Sequence, residues 1–324
     1  MSKSYDMPSS TSSSDGSGTG IETPTPEVAA TTTMAQAKPE RWRVLLSLFA
    51  LYTIWGSTYL AMRIALAGFA PFWMAAVRFL VAGSILYLVL RLRGAPRPSR
   101  AGWIGAGIVG ILLLAGGNAG VAFAEQWVAS GLAALGLAAI PLWTALFAGL
   151  WGRWPNRLEW CGLGIGFIGV ILLNAGSNMW ASPMGAIALL LAPICWALGS
   201  AWSQRLKLPG GLMSSASEML VGGAVLVVIS LGLREPLPAP TVPSLLAIGF
   251  LIVFGSLIAF SAYGYLLRNV RPALATSYAY VNPMVAVGLG ILLDGEHITP
   301  LGLLAMLTII VGVCLVSFAR EARR

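Results

Sequence analysis

Polar side chains that could bind a solute cluster in one apolar stretch of the sequence, just before a proline. Tyr278 and Asn282 are four residues apart, as are Thr276 and Tyr280, so each pair shares one face of a helix. Pro283 follows at once, and a proline inside a helix removes a backbone hydrogen bond and bends the helix. In lipid, a neighbouring helix or a water-filled cavity must then bind the freed carbonyl. The pattern favours a polar cavity wall beside a kink, although a packing face with internally bonded hydroxyls would look the same.

A second proline takes the same place in an earlier apolar stretch. Pro141 lies near the end of residues 128–142, just as Pro283 lies near the end of residues 270–284. The repetition strengthens the interpretation as a cavity wall, and it predicts helix kinks at both prolines.

Aromatic and amide side chains in other apolar segments could bind a solute as well. Aromatic faces stack on rings and cations, and an amide in lipid needs a hydrogen-bond partner. Each aromatic residue taken singly could equally be a packing residue or an interface anchor. The candidates are Trp55, Tyr59, Asn118, Trp143, Trp196 and Tyr263. With the two helix-face pairs before Pro283, they form the predicted substrate cavity.

Six charged residues lie inside or at the ends of apolar segments, where ionisable side chains are costly and usually face a cavity or a partner. The two deepest, Arg78 and Glu218, are expected at opposite depths, about 10 Å apart at 1.5 Å per helical residue, and therefore not paired with each other. Each depth holds two arginines and one carboxylate: Arg63, Arg78 and Glu125 in the outer group, and Arg205, Glu218 and Arg268 in the inner group. The groups could be ionic gates made and broken in turn, or each charge could extend to its own interface.

The composition predicts an integral membrane protein. Hydrophobic residues make up 57% of the chain and charged residues 10%, with a mean hydropathy of +0.80, whereas soluble domains carry about 25% charged residues. The net charge of +8 is interpreted as a topology signal and not as nucleic-acid binding. Because His297 is the only histidine and no metal-ligand spacing occurs, neither a metal site nor a cofactor is predicted.

Ten apolar segments, each near the ~20 residues that span a bilayer, organise the rest of the chain. Segments 1 to 10 cover residues 44–63, 71–90, 103–123, 129–150, 158–176, 183–202, 212–233, 244–267, 272–293 and 300–318. Residues 1–40 are rich in Ser, Thr, Pro and Gly and are predicted to be a disordered tail. If the segments alternate in direction, nearly all Lys and Arg residues of the connections fall on one side. That side is predicted to be cytoplasmic and to hold both termini.

The two halves of the chain resemble each other at a nearly constant offset. Trp55 corresponds to Trp196, and Pro141 to Pro283. This predicts a first repeat at 41–178 and a second at 179–320, each with five segments. A unit with an odd number of spans must face the opposite way when repeated, and such inverted repeats place a substrate site near the membrane midplane. Glycines in segment 5 indicate close helix packing and a possible homodimer seam: Gly162, Gly164, Gly166 and Gly169.

Three motifs resemble a known family. They are residues 55–59 (W-G-S-T-Y), residues 124–134 with A-E-Q and S-G-L-A-A, and residues 268–283 with R-N-V-R-P-A-L-A-T-S-Y-A-Y-V-N-P. Together they are similar to the EamA branch of the drug/metabolite transporter superfamily, and in particular to its YedA-type exporters. The resemblance covers residues 43–318.

This resemblance implies an all-α exporter of ten transmembrane helices in the bacterial inner (plasma) membrane, built as two inverted five-helix repeats. Helices 1, 3, 4, 6, 8 and 9 would line a central cavity for small metabolites, amino acids or amphipathic drugs. Segment 1 lacks the glutamate with which small multidrug relatives exchange protons, which argues against simple proton-for-drug antiport. The expected partners are a small-molecule substrate and the lipid bilayer. The alternative functions are a membrane-embedded enzyme acting on a lipid-like substrate and a small channel. Against the enzyme, the sequence places no nucleophile near a base.

Overall fold

The helices of the computed structural model follow the apolar segments of the sequence in order. The structure describes residues 41–127, 130–152, 154–173, 183–294 and 300–318, so the predicted tail lies outside the described residues. The helices are α1 (Arg41–Ala65), α2 (Pro71–Leu92), α3 (Arg100–Ala124), α4 (Ser130–Leu137), α5 (Ile140–Leu150), α6 (Arg157–Leu173), α7 (Pro183–Ser203), α8 (Leu212–Gly232), α9 (Val242–Asn269), α10 (Pro272–Ala275), α11 (Tyr278–Asp294) and α12 (Pro300–Phe318). No strand occurs in these ranges, which confirms the all-α prediction for the described part of the chain.

Within the described ranges, six helices are long and apolar enough to cross a membrane. They are α1, α2, α3, α7, α8 and α9, with 21 to 28 residues each, and α5 and most of α12 are shorter apolar helices. Large apolar side chains such as Leu190 and Leu246 are exposed on the outward faces, where lipid tails are as apolar as leucine. Trp42 and Trp154 are exposed near helix ends, as is usual for indoles at the membrane interface. The described part of the chain therefore has the all-α structure and the apolar surface expected of a membrane protein.

Local hydrogen bonds set where the helices begin. The Ser99 hydroxyl accepts from the Gly102 N–H at 3.1 Å, so α3 begins at Arg100, before its first long apolar side chain. Glu235, in the connection between α8 and α9, accepts from the N–H groups of Phe72 and Trp73 at 3.2 and 3.0 Å. A carboxylate at this position complements the positive end of α2.

Segments 4 and 9 are each divided into two helices. In segment 4, α4 ends at Leu137 and α5 begins at Ile140, with Pro141 in the first turn of α5, where a missing N–H is tolerated. In segment 9 the break falls at Thr276–Ser277, and Pro283 lies inside α11. Hydroxyls reinforce the backbone hydrogen bonds there: Thr276 donates to the Pro272 oxygen at 2.9 Å and Ser277 donates to the Leu274 oxygen at 2.8 Å, and each oxygen also accepts the backbone N–H of the same residue.

Three long helices contain π-helical turns that no proline marks in the sequence. These turns cover Leu51–Trp55 in α1, Ile111–Asn118 in α3 and Leu251–Ile258 in α9. A π-helical turn widens the helix locally and often occurs at a functional site. Here the turns contain Trp55, Asn118 and Ser256, and all three form side-chain hydrogen bonds to other helices.

Helix packing joins the first five segments to the last five in reciprocal pairs. α2 packs on α8, and α6 packs on α12. α3 packs on α7 and α8, while α1 packs on α9 and α11. Segment 3 thus contacts segments 6 and 7, and segment 8 contacts segments 1 and 2. The main buried core lies among the helices of segments 1 to 4 and 6 to 9.

Glycines allow α6 and α12 to approach closely. A Cβ on Gly162 would lie 2.8 Å from the Gly312 oxygen, and a Cβ on Gly312 would lie 2.5 Å from the Gly166 nitrogen. A Cβ on Gly169 would be 2.8 Å from Ile309, whereas one on Gly164 would meet nothing within 4 Å. Three of the four segment 5 glycines therefore pack inside the chain, so a dimer seam would have to use another face.

Candidate functional site

A central cavity lies between helices of both halves of the chain. Its volume is about 30 Å³, which is room for only a few water molecules, so the cavity is nearly closed in this conformation. α1, α3, α4 and α5 supply walls from the first half, and α7 and α11 supply walls from the second half. The lining residues are Trp55, Thr58, Tyr59, Met62, Gly117, Asn118, Val121, Leu137, Ile140, Trp196, Tyr278 and Asn282. Among the predicted cavity residues, this set brings together Trp55, Tyr59, Asn118, Trp196, Tyr278 and Asn282.

Four aromatic rings form one cluster at this cavity. Trp55 is at its centre, with its ring centroid 5.5 Å from that of Trp196, 5.3 Å from Tyr263 and 4.7 Å from Tyr278. Tyr263 lies 5.6 Å from both Trp196 and Tyr278. Edge-on rings at these distances attract one another beyond simple burial. The cluster joins four helices and presents an apolar, π-rich wall.

Hydrogen bonds fix the orientation of the cluster. The Trp55 Nε1 donates to the Gly255 oxygen at 3.0 Å, which ties α1 to the π-helical turn of α9. The Trp196 Nε1 donates to the Tyr263 hydroxyl at 3.0 Å, and that hydroxyl is 2.5 Å from the Ser200 Oγ. Glycine is required at position 117, because a Cβ there would lie 2.6 Å from the Trp196 ring. The rings are therefore held in place before any solute binds.

Two polar atoms in the cavity wall lack a partner. The Tyr278 hydroxyl and the Asn282 Oδ1 are buried, and neither has a hydrogen bond of normal geometry to another described residue, although the Tyr278 hydroxyl interacts weakly with Tyr263 and Trp196. Buried polar groups are normally hydrogen-bonded, and an unsatisfied one is costly. Both belong to α11 and lie one turn apart. They are available to a polar group of a bound solute.

Arg78 is the most completely buried charged side chain beside the cavity. It is 1% exposed. Its Nε donates to the Ser256 Oγ at 2.8 Å, and its Nη1 donates to the Asn118 Oδ1 at 3.3 Å. The guanidinium therefore connects α2 with α3 and α9 through neutral oxygens.

The outer charge group is not joined by ion pairs in this conformation. Arg63 is exposed, and the Glu125 carboxylate is buried with no hydrogen bond from a described residue to either oxygen. Arg63 still acts electrostatically on Glu125. Arg78 instead donates to the neutral oxygens of Ser256 and Asn118.

The inner charge group is likewise not joined by direct ion pairs. Arg205 donates to the Trp151 oxygen at 3.2 Å and lies 4.9 Å over the Trp151 ring. Glu218 accepts from the Ser214 hydroxyl at 2.6 Å, while Arg268 acts on it electrostatically without a direct ion pair.

Three predicted cavity residues lie elsewhere. Trp143 stacks on Phe147, one turn along α5, with ring centroids 6.0 Å apart. The Tyr280 hydroxyl donates to the Leu163 oxygen at 3.0 Å, so this side chain joins α11 to α6. The Thr276 hydroxyl donates to the Pro272 backbone oxygen at the helix break. Spacing on one helix cannot distinguish these positions, because each helix has neighbours on several sides.

Sequence reasoning missed an ion pair that links the two halves. The Arg271 Nη1 lies 2.7 Å from the Glu159 Oε1, at the start of α10 and α6 respectively. Glu159 also forms a reciprocal helix cap with Asn156: the Asn156 N–H donates to the Glu159 Oε2 at 2.8 Å, and the Glu159 N–H donates to the Asn156 Oδ1 at 2.7 Å. The sequence signal was the Asn-x-x-Glu pattern, a capping box that fixes this carboxylate at the helix start.

The arrangement has the composition of a small-molecule binding site. Its walls combine aromatic faces, one amide pair and unpartnered polar atoms, as in small-molecule sites. No group of three or more His, Cys, Asp or Glu residues that could hold a metal ion occurs among the described residues.

Comparisons with known proteins give the same picture. The model of the EamA-like transporter family matches the chain twice, over residues 42–175 and 183–318. The uncharacterized inner membrane transporter YedA of Escherichia coli (strain K12) is 48% identical over 276 residues, which cover 85% of this chain and 90% of YedA. The uncharacterized transporter YdfC of Bacillus subtilis (strain 168) is 25% identical, over 84% of this chain and 90% of YdfC.

A solved crystal structure of another protein shows a similar fold. It is 21% identical, with a TM-score of 0.70 over 87% of this chain and 99% of its own. The family model covers nearly all of the described residues, and the similarity to YedA extends along the same length. The chain is a membrane transporter and belongs to the EamA-like transporter family.

Proposed function

We propose that this chain is an inner-membrane secondary transporter that exports a small organic solute through the central cavity by alternating access. The observation that carries the proposal is the cavity itself. Both halves of the chain build it, the rings are fixed by hydrogen bonds, and Tyr278 and Asn282 keep polar atoms free within it. A cavity between two halves changes its access when the halves move relative to each other. The inner-membrane location is supported by the name of YedA.

The proposed architecture is two inverted repeats, at 41–178 and 179–320, with ten spans. Two separate matches to one family model support the repeats. The reciprocal packing of segments 2 with 7 and 5 with 10 supports them as well. Five spans in each repeat would turn the halves in opposite directions.

The moving parts are proposed to be the irregular turns around the cavity. The breaks in segments 4 and 9 and the π-helical turns of α1 and α3 adjoin the cavity walls. Backbone that is not fully α-helical can change with less loss of helical hydrogen bonding, and it is tolerated at membrane depth where it lines a cavity. We expect Pro141 and Pro283 to keep these regions from becoming regular α-helix.

The proposed solutes are small metabolites, amino acids or amphipathic drugs. The aromatic cluster suits an apolar body, and the Tyr278 hydroxyl and Asn282 amide suit a polar group. Orientation is proposed from the basic residues, with both termini cytoplasmic. A cysteine replacing His297 should then react with an impermeant thiol reagent on intact cells, and one replacing Ser99 should not.

Flux in liposomes tests the proposed function. The purified full-length chain is reconstituted, and uptake of radiolabelled solutes is measured with and without unlabelled solute inside. A carrier predicts saturable uptake that is accelerated by internal solute. Unsaturable leak would indicate a channel, formation of a product would indicate an enzyme, and the absence of flux for every solute class would contradict the proposal.

A further inference from the structure

Arg78 has no negative partner in the described part of the chain. Its two hydrogen bonds go to the neutral oxygens of Ser256 and Asn118, and the ring of Phe79, 4.8 Å away, adds only a cation–π contact. A buried charge is costly unless it is paired with an opposite charge. Intramembrane ionisable residues usually mark a pathway or a ligand.

None of the carboxylates whose surroundings are described forms an ion pair with Arg78. Glu159 pairs with Arg271, Glu218 accepts from Ser214, and Glu235 accepts from backbone at the start of α2. The Glu125 carboxylate is buried without a hydrogen bond to a described residue. The positive charge of Arg78 is therefore left without a counter-charge from the described part of the chain.

The structure keeps space for the guanidinium directly behind the cavity wall. A Cβ on Gly255 would lie 2.8 Å from the Arg78 Nη2 and 3.1 Å from the Thr58 Cγ2. Thr58 and Asn118 both line the cavity. Asn118 thus contacts the cavity on one side and the guanidinium on the other. Its bond to Arg78, at 3.3 Å, is long for an N–H···O hydrogen bond.

We propose that Arg78 is the anion-binding residue of the central cavity, and that the transported solute carries a carboxylate beside an aromatic or apolar body. The inference rests on the proposed function, since it assigns a chemical class to the solute of the same cavity. The carboxylate displaces the Asn118 oxygen and accepts two N–H groups of the guanidinium, a strong bidentate arrangement. The aromatic cluster around Trp55 binds the body of the molecule. The outer gate then consists of Arg63 and Glu125.

Matched ligands test the charge requirement. Thermal unfolding of the purified full-length protein is followed with phenylacetate and hydrocinnamate, with the amide of each, and with phenethylamine. The proposal predicts that the two carboxylates raise the unfolding temperature. The amides and the amine, which have nearly the same shape, should bind roughly ten- to hundredfold more weakly, the range expected for a charge-assisted bond. Equal or stronger binding of the amides or the amine overturns the proposal, as does the failure of both carboxylates to bind.

Two variants locate the charge. Arg78→Gln should remove the preference for carboxylates, whereas Arg97→Gln, in an exposed loop, should keep it. Because Arg78→Gln could also disturb folding, Asn118→Asp is the second test. It gives Arg78 an internal counter-ion, so it should preserve or raise the unfolding temperature and still weaken carboxylate binding about tenfold. An unchanged carboxylate preference in Asn118→Asp would contradict the assignment.

Flux separates this inference from the proposed function. Saturable transport of phenethylamine or an amide, without transport of a carboxylate, would leave the carrier intact and overturn the anion site. Binding of carboxylates through Arg78 without any flux would leave the site intact and overturn the carrier.

Discussion

The central cavity and the α6–α12 seam are two solutions to helix packing in the same chain. At the seam, Gly162, Gly166 and Gly312 bring two backbones together, so no space remains between them. At the cavity, the rings of Trp55 and Trp196 contact each other edge-on between their helices, and the Tyr278 hydroxyl and Asn282 Oδ1 lack hydrogen bonds of normal geometry to described residues. Small residues bring two backbones into contact, whereas large aromatic rings fill the space between helices. Under the proposed function, α6 and α12 would act as a rigid support while the cavity helices move.

The largest effect is expected at the seam. Gly312→Ala places a Cβ 2.5 Å from a backbone nitrogen of α6, which cannot move aside as a side chain can. We expect a loss of about 1–3 kcal/mol or more of folding stability, as for other overpacked interiors. The yield of monodisperse protein and its unfolding temperature measure this loss. Gly164→Ala, with no neighbour within 4 Å, is the matched control and should behave like the unaltered chain; equal stability of both variants would show that the seam is not tightly packed.

The second-largest effect is expected from substitutions in the two charge groups. If they are gates, Glu125→Gln loosens the outward-closed state and Glu218→Gln loosens the inward-closed state. Each variant should shift the equilibrium between the outward-closed and inward-closed states by up to about tenfold, or about 1.4 kcal/mol, which one partly buried ion pair can supply. The reporter is the labelling rate of a cysteine that replaces Tyr278.

The two gate variants should change that rate in opposite directions. If neither changes it, each charge only extends to its own interface. Changes of the same sign would remove the gate model as well. Because neither group is paired in the present structure, the result also tells whether this conformation lies between the two closed states.

Two tyrosines on α11 allow a smaller and sharper comparison. Tyr278→Phe removes a hydroxyl that faces the cavity without a partner, so stability should stay the same while the apparent affinity for solute falls by up to about tenfold. Tyr280→Phe removes the bond to the Leu163 oxygen, so it should cost about 0.5–1.5 kcal/mol of stability and leave the affinity unchanged. Thermal unfolding and the concentration dependence of flux measure the two effects. Identical behaviour of the two variants would mean that the cavity wall has been misplaced.

The smallest effects are expected from the prolines. Pro141 lies in the first turn of α5, where replacing it with alanine restores no interior hydrogen bond. Pro283 lies inside α11, so Pro283→Ala regularises a helix at the cavity and should slow transport a few-fold. Initial rates of flux show which of the two proline substitutions slows transport more. A slower Pro141→Ala than Pro283→Ala would contradict this prediction.

The sequence predicted the helices well and their irregularities less well. Apolar runs of about 20 residues are a strong signal, and segments 1 to 3 and 6 to 8 correspond to long helices. The break at Thr276–Ser277 lies before the proline and was not predictable, because Thr and Ser hydroxyls that donate to carbonyls three or four residues earlier also occur inside regular helices. The π-helical turns have no sequence signature, since a widened turn depends on what packs beside it.

The candidate site was predictable in part for the same reason. Residue type identified Trp55, Asn118 and Tyr278 as candidate cavity residues, since aromatic and amide groups in apolar segments are conspicuous, and all three line the cavity. The partners of Arg78 were not predictable. They come from α3 and α9, and only the three-dimensional packing brings Ser256 within 2.8 Å of the guanidinium.

Labelling of the cavity from both sides of the membrane tests alternating access most directly. In a chain whose Cys161, Cys195 and Cys314 have been replaced, Tyr278→Cys is exposed to an impermeant thiol reagent in right-side-out and in inside-out vesicles. Alternating access predicts reaction from both sides, slower in each case when a transported solute is present. It also predicts that conditions which speed labelling from one side slow it from the other. Labelling from one side only, or from both sides with rates that rise and fall together, would contradict the account.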